Sequence, residues 1–254
     1  MQIHQIRNAT LIITYNNTRF LIDPWLMPKD YMEGFDAGIN SHIRQPRVDL
    51  PISIEEIVNV EAVILTHFHP DHFDEFAVKA LDKNIPFFVQ SEDDLKIIQS
   101  FGFKNVIIIE ETLEFAGIKL HKTACQHGKR EIIKPICDQI NMPYDSMGII
   151  FKTENEKTLY LAGDTIWCEE VKCALDEFNP EVIIINACGA TVLNGERIIM
   201  DAEDIKTVSN YAKNSTIITS HLDTVSHLTV TRENIKNLAL SNVVVPSDNE
   251  ILNF

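Results

Sequence analysis

Hydrophobic and polar positions change rhythm several times along the chain. Residues 2–7, 10–15 (TLIITY) and 19–22 read as strands, and Asn16-Asn17 supplies a tight turn between the last two. Asp23-Pro24 ends that hairpin. Further on, strands at 62–65, 86–89, 106–109, 182–186, 216–219 and 243–245 alternate with helices at 73–81, 93–101, 169–178, 202–212 and 232–240. Gly102 closes one helix and Asn179-Pro180 another. Ser53 followed by Glu56 is a capping box that opens a short helix over 54–58. Two hairpins interrupt the alternation: 113–124, turning at Ala116-Gly117, and 148–152 with 158–162 across Glu154-Asn155-Glu156. Strands that come both in hairpins and between helices predict two mixed β-sheets with helices outside, rather than one doubly wound sheet.

One long stretch, 26–52, carries no sustained period. It holds Met27, Tyr31, Met32 and Phe35 together with Lys29, Arg44 and Arg47, and reads as a lid, a binding loop or an oligomer contact. A second irregular stretch, 188–200, flanked by Gly189 and Gly195, is expected as another wall of a pocket.

Composition narrows the class. With 254 residues, 45% hydrophobic and 23% charged, the chain can build a substantial core, and the absence of a linker-like segment favours a single domain over 1–254. No apolar run approaches the length of a membrane span, and MQIHQIRNATLIITY lacks the charge and hydrophobicity pattern of a signal peptide; a cytoplasmic protein is expected. A net charge of −15 repels polyanions, so nucleic acid is not an expected partner. The five cysteines (125, 137, 168, 173 and 188) form no CxxC pair and read as reduced thiols.

The chemistry concentrates behind one strand. In VILTHFHPDHF, the apolar run is followed at once by His67, His69, Asp71 and His72. Three other strand ends deliver the same residue types: His127 in ACQHG, Asp164 in YLAGDT and His221 in TSHLD. Loops at strand ends commonly converge on a site in layered α/β folds. Neutral imidazoles suit Zn²⁺, Mn²⁺ and Fe²⁺, and carboxylates add neutralising charge and can bridge two ions.

At these residues the sequence resembles the metallo-β-lactamase-fold hydrolases, and within them the branch of L-ascorbate-6-phosphate lactonase. The likeness covers FLIDPW (20–25), LPISIEEI (50–57), AVILTHFHPDHFD (62–74), LAGDT (161–165), MDAEDI (200–205) and SHLDTVSH (220–227). It implies a four-layer αββα sandwich of two mixed sheets with two divalent metals at one edge, zinc first and manganese second. His67, His69 and His127 would hold one ion, Asp71, His72 and His221 the other, and Asp164 would bridge them. Relatives of that branch carry Gly-His-Ala in the first hairpin where this chain has Arg7-Asn8-Ala9, so a histidine near the site is replaced.

The secondary candidates are Asp23, expected to accept a hydrogen bond from a metal-bound imidazole, and His227, expected either at the substrate or at a helix start. Asp223 is expected either to orient His221 or to lie exposed, and His4, His42 and His121 fit no functional pattern. The reading that follows is a dinuclear metal-dependent hydrolase. A hydroxide held between the ions is expected to attack a small, anionic ester, lactone or phosphoester, with Asp71 and Asp164 at the chemistry and Asp71 passing a proton to the leaving group. A phosphodiesterase or nuclease on the same fold is the competing enzyme, and a non-catalytic metal sensor the competing class. No GxSxG motif occurs. A small-molecule substrate and a homo-oligomer are the expected partners.

Overall fold

A strand covered on both faces has to be apolar at consecutive positions, and the central strands of this chain are. The computed structural model describes residues 1–140 and 142–254. Its strands are β1 (Gln2–Arg7), β2 (Thr10–Tyr15), β3 (Thr18–Ile22), β4 (Ala62–Ile64), β5 (Phe87–Val89), β6 (Val106–Ile108), β7 (Thr112–Phe115), β8 (Ile118–Ala124), β9 (Met147–Lys152), β10 (Leu159–Leu161), β11 (Val182–Asn186), β12 (Thr216–Ser220), β13 (Val243–Val244) and β14 (Ile251–Asn253). The helices are α1 (Ile54–Ile57), α2 (Glu75–Ala80), α3 (Glu92–Ser100), α4 (Arg130–Gln139), α5 (Glu169–Phe178), α6 (Ala202–Tyr211) and α7 (Arg232–Lys236). Two sheets result, ordered β14-β1-β2-β3-β4-β5-β6 and β13-β12-β11-β10-β9-β8-β7. Each is antiparallel at one side and parallel at the other, through β3-β4-β5-β6 and β10-β11-β12-β13.

Side-chain alternation assigns the layers. Phe20, Ile22, Ile64 and Phe88 meet Leu120, Ile149, Phe151, Ile184 and Ile218 between the sheets. Their strand neighbours Leu21, Val63, Phe87 and Val89 point the other way, onto Ile57, Ala77 and Ile98 of α1–α3. On the second sheet Ile183, Ile185 and Ile217 pack against Val171, Leu175, Ile205 and Ile235 of α5–α7. This is the αββα sandwich. Among the described residues no helix is long and apolar enough to cross a membrane.

The turn chemistry follows the sequence. Asn16 and Asn17 both take positive φ, as do Ala116 and Gly117, and the Ser53–Glu56 capping box is formed. Three elements depart from expectation. Helix α7 stops at Lys236, short of 240. Strand β14, at the edge beside β1, was not anticipated; it is three residues long with both ends exposed, so it shows no alternation. Helix α4 was also not anticipated. Lys129 gives it no side-chain cap, and Pro135 sits inside it without an N–H to donate. The helical spacing of Ile132, Ile133, Ile136, Cys137 and Ile140 was the available signal.

The 26–52 stretch is a fixed wall. Buried Arg7 donates from Nη2 to the carbonyls of Trp25 (2.8 Å) and Met27 (3.0 Å) and from Nη1 to that of Val48 (3.0 Å), with its guanidinium over the Trp25 ring. Burial pulls that guanidinium down to about 10, which still leaves it charged. Asp74 accepts the amides of Leu26 and Met27 on Oδ2 while Oδ1 caps α2 at Ala77. Farther along, Met32 and Gln45 exchange backbone hydrogen bonds, Gln45 Oε1 accepts from the Ser226 amide, and the Leu193 amide donates to the Ala37 carbonyl.

Arg7→Met keeps most of the buried stem but strips the three carbonyls of a charged donor. A loss of about 2–4 kcal/mol in urea denaturation is expected, with faster amide hydrogen exchange confined to 25–48. A loss below about 1 kcal/mol with unchanged exchange would remove Arg7 as the pin of this wall.

Candidate metal centre

Each candidate ligand leaves a strand end. The β4 run continues through Leu65 and Thr66 to His67, and the segment then coils back: the His72 and Phe73 amides both donate to the His69 carbonyl (2.9 and 3.0 Å). Buried Phe73 anchors the far side of that turn. His127 follows β8, and Asp164 follows β10 after Gly163, which takes φ +70 and lies so close to Met147 that a Cβ would stand 2.4 Å from its carbonyl oxygen. His221 follows β12 with φ +60, a backbone state that a side chain other than glycine adopts only when its surroundings hold it there. Its amide donates to the Asn8 carbonyl (3.0 Å).

All seven predicted ligand residues converge, and all are buried. His67, His69 and His127 bring donor atoms within 4.8 Å of one another; so do Asp71, His72 and His221, and so do His67, His72 and Asp164. Nε2 of His67 stands 3.0 Å from Nδ1 of His69. Asp164 Oδ2 lies between the two sets, 3.2 Å from His72 Nε2 and 3.9 Å from Nε2 of His67, His127 and His221. Asp71 Oδ2 is 3.3 Å from His221 Nε2 and 4.0 Å from His72 Nε2.

The outward ring nitrogens fix which lone pairs face inward. His69 Nε2 donates to the Pro143 carbonyl (2.7 Å), His127 Nδ1 to the Ile198 carbonyl (2.9 Å) and His72 Nδ1 to Asp23 Oδ2 (2.9 Å). His67 Nδ1 is 3.1 Å from the Thr66 hydroxyl. Each bond holds a proton on the outward nitrogen, so the nitrogen aimed at the centre is the one that could ligate a cation. Asp23 also accepts the Thr66 amide (2.7 Å) and hydroxyl (2.8 Å), so one carboxylate positions both the turn and the His72 ring. Among the described residues His72 Nε2 is buried without a hydrogen-bond partner, Asp164 Oδ2 being near it but out of line. An orphaned imidazole nitrogen among converging carboxylates is what a divalent cation satisfies, and the N/O donor set fits zinc or manganese.

The electrostatics agree. Burial, reinforced by neighbouring imidazoles, holds His67 well below the usual imidazole range and draws His69 down to about 3; burial lowers His127 as well. Burial opposes charge on His72 too, but Asp164, Asp23 and Asp71 outweigh it and raise the ring to about 10. His221 is likewise raised, against burial, by Cys188, Asp164 and Asp71. Burial would raise Asp71 and Asp164, yet His72 and His221 keep both below the carboxylate range. Without a metal, then, protons on two imidazoles balance the carboxylates, and bound cations displace those protons.

Two residues of the centre were missed. Asn186, at the end of β11, donates to Asp164 Oδ1 (2.6 Å); a polar residue closing the apolar run VIIIN was its signal. Asn8, noted only as a departure, places Nδ2 3.3 Å from His221 Nε2 and donates to the Asp71 carbonyl (3.0 Å). The carbonyls of Pro143 and Ile198 had no signal, being backbone.

A cavity of about 240 Å³ opens on the cluster, with His69, Asp71, His127 and Asp164 at its floor. Phe35 and Gly38 form one wall, Ile133, Ile136 and Cys137 of α4 a second, and Val192 and Ile198 of the 188–200 stretch a third. His227 completes it, held at about 4 by burial. Of the residues marked as a lid only Phe35 lines the cavity: Met27 and Met32 pack in the core, and half-exposed Tyr31 stands edge-on to Phe76. Among the described residues no lysine or arginine lines it; Lys29, Arg44 and Arg47 are exposed. Asp223 pairs with Arg232 (3.1 Å). His4 bonds Asn249, His121 bonds Thr112, and His42 is exposed. All five cysteines are free.

With this geometry in hand, comparison with known proteins is direct. Residues 18–222 match the family described as Beta-lactamase superfamily domain. The UPF0173 protein YddR of Bacillus subtilis is 40% identical over the full length of both chains. A crystal structure of a possible metal-dependent hydrolase from Veillonella parvula is 42% identical and superposes with a TM-score of 0.96 over 100% of this chain and 99% of that one. That of an isothiocyanate hydrolase from Delia radicum gut bacteria is 35% identical, with a TM-score of 0.95 over the same shares. The chain belongs to the UPF0173 metal-dependent hydrolases, a family of the metallo-β-lactamase fold.

Proposed function

We propose that the chain is a dinuclear hydrolase of small, neutral electrophiles with an apolar tail, of the isothiocyanate class. The observation that carries this reading is the cavity: it opens directly on the ligand cluster, its walls are mainly aliphatic and aromatic with Asp36 the carboxylate outside the cluster, and among the described residues no lysine or arginine lines it. An anionic ester or lactone, the class first expected, would find no partner there except the ions. Those ions are already faced by Asp71 and Asp164, and Asp23 adds a third carboxylate behind His72. The relative that hydrolyses isothiocyanates aligns over the whole chain, which supports the same class here. A polynucleotide fits neither a cavity of this size nor a chain of net charge −15.

His67, His69 and His127 would hold one ion, Asp71, His72 and His221 the other, with Asp164 between them. When bound, the ions supply Lewis acidity and lower the pKa of water toward neutrality. The chain does the rest. Ile133, Ile136, Val192 and Phe35 take the apolar tail and exclude bulk water. Water adds across C=N: its oxygen bonds to the central carbon, the π pair moves to nitrogen, and nitrogen takes a proton. The resulting thiocarbamic acid passes its remaining acidic proton to nitrogen, and the C–N bond breaks with its electron pair staying on nitrogen, which releases an amine and carbonyl sulfide. Asp71, buried at the cavity floor, is placed to accept the proton of the water and return it to nitrogen.

Metal analysis of purified protein is expected to give close to two divalent ions per chain. Asp23→Ala, which frees the His72 ring, is expected to cost about 10–100-fold in metal affinity or activity, and Asp164→Ala more than that. Equal losses at saturating metal would contradict Asp164 as the shared ligand.

Benzyl isothiocyanate is expected to be hydrolysed with kcat/KM at least about tenfold above that for an anionic lactone or a phosphodiester. Ile136→Glu, which sets a charge in the tail wall, should raise KM for it about tenfold or more at unchanged metal content. Faster turnover of the anionic lactone would restore the lactonase-like reading.

A further inference from the structure

His227 is not needed to hold either ion, yet its ring is built into the cavity as firmly as a ligand. It is 5% exposed and lines the space above Asp71 and Asp164. Its Nδ1 is sealed in protein with no hydrogen-bond partner among the described residues. An unpaired buried polar atom costs about 1–3 kcal/mol, so one that persists calls for an explanation.

The ring has no room to retreat. A Cβ at Gly38 would fall 2.8 Å from the His227 Cβ and 3.2 Å from its Cγ, so the backbone of the 26–52 wall presses directly on the imidazole at the one residue type that allows it. Phe35 meets the ring edge-on at 5.1 Å between centroids. The His227 carbonyl accepts from the Thr191 amide (3.1 Å), which fixes the backbone from the opposite wall. Two walls of the cavity thus fix a residue whose ring makes no hydrogen bond from Nδ1 in return.

We propose that His227 binds the substrate directly, donating a hydrogen bond from Nε2 to the heteroatom that gains charge as the central carbon is attacked. With Nδ1 walled in, Nε2 is the nitrogen left to the cavity. Placing the proton there leaves Nδ1 as an unpaired acceptor, which protein interiors tolerate better than an unpaired N–H. Outside the metal cluster, His227 is the buried side chain of the lining that offers a polar nitrogen. Bound ions would supply Lewis acidity from the side of the ligand cluster, and His227 would face the reacting group from a position fixed before substrate arrives. The proposal rests on reading this cavity as the substrate site.

The test uses full-length, metal-loaded protein and the variants His227→Phe, His227→Gln and Gly38→Ala. Metal content, Tm, kcat and KM are measured with benzyl isothiocyanate, a neutral lactone and a neutral ester. Binding of benzyl azide, an unreactive neutral analogue, is measured by calorimetry. His227→Phe is expected to keep its metals and lose about 100-fold in kcat/KM on the best substrate, mostly in kcat. His227→Gln, which returns an N–H to the place of Nε2, should recover to within about tenfold of wild type, and Gly38→Ala should mimic the loss by displacing the ring. Should His227→Phe misfold, His227→Gln and Gly38→Ala decide the matter. A kcat/KM within about twofold of wild type in His227→Phe, or loss of metal from it, would overturn the proposal. If the lactone or ester is the best substrate, the isothiocyanate reading fails and His227 is judged on that substrate instead. If none is turned over, benzyl azide binding that is equal in wild type and His227→Phe, or absent from both, overturns the role of His227.

Discussion

The structure turns on one electrostatic demand: Asp71 and Asp164 are buried together at the same edge of the sandwich, with Asp23 just behind. Carboxylates out of water need positive charge within a few ångströms, and among the described residues no arginine or lysine lines the cavity over Asp71 and Asp164. Imidazoles meet the demand because they can yield a proton to a metal. The ligands also need support, and the fold supplies it from both sheets: Asp23 from the end of β3 holds the His72 ring, Asn186 from β11 the Asp164 carboxylate, and Asn8 from the β1–β2 turn contacts His221. The twin parallel halves of the two sheets place these ends along one edge, so the site depends on the sandwich and not on any one loop.

Much of this was legible in the sequence. The layers could be read because β4, β11 and β12 are apolar without a break, and hairpins such as Asn16-Asn17 announce themselves through residues that tolerate positive φ. The ligands could be read because His and Asp directly after an apolar run are improbable unless something gathers them. The walls were harder. Helix α4 hides behind Pro135 and an uncapped start, and without it the cavity loses one of its apolar walls, which is why a charged substrate was the first expectation. The fixity of the 26–52 stretch was illegible for another reason: it comes from Arg7 and Asp74, each distant in sequence from the backbone groups it binds.

Arg7 and Asn8, adjacent in the first hairpin, serve two different parts of the site: one goes to the wall and the other to the candidate metal edge. Arg7 reaches away from the ions to bind Trp25, Met27 and Val48 through their carbonyls, and Asn8 braces His221 and the Asp71 backbone. The first hairpin therefore stabilises the cavity from behind.

The carbonyls of Pro143 and Ile198 carry a wider implication. They orient His69 and His127, yet they belong to the segments that wall the cavity. A peptide oxygen is the same whatever side chain its residue bears. Mutation can therefore exchange the side chains of Ile198 and its neighbours, reshaping what enters the cavity, while the imidazoles keep their alignment. Such a division lets a lineage explore new chemistries by drift in its walls without passing through inactive ancestors.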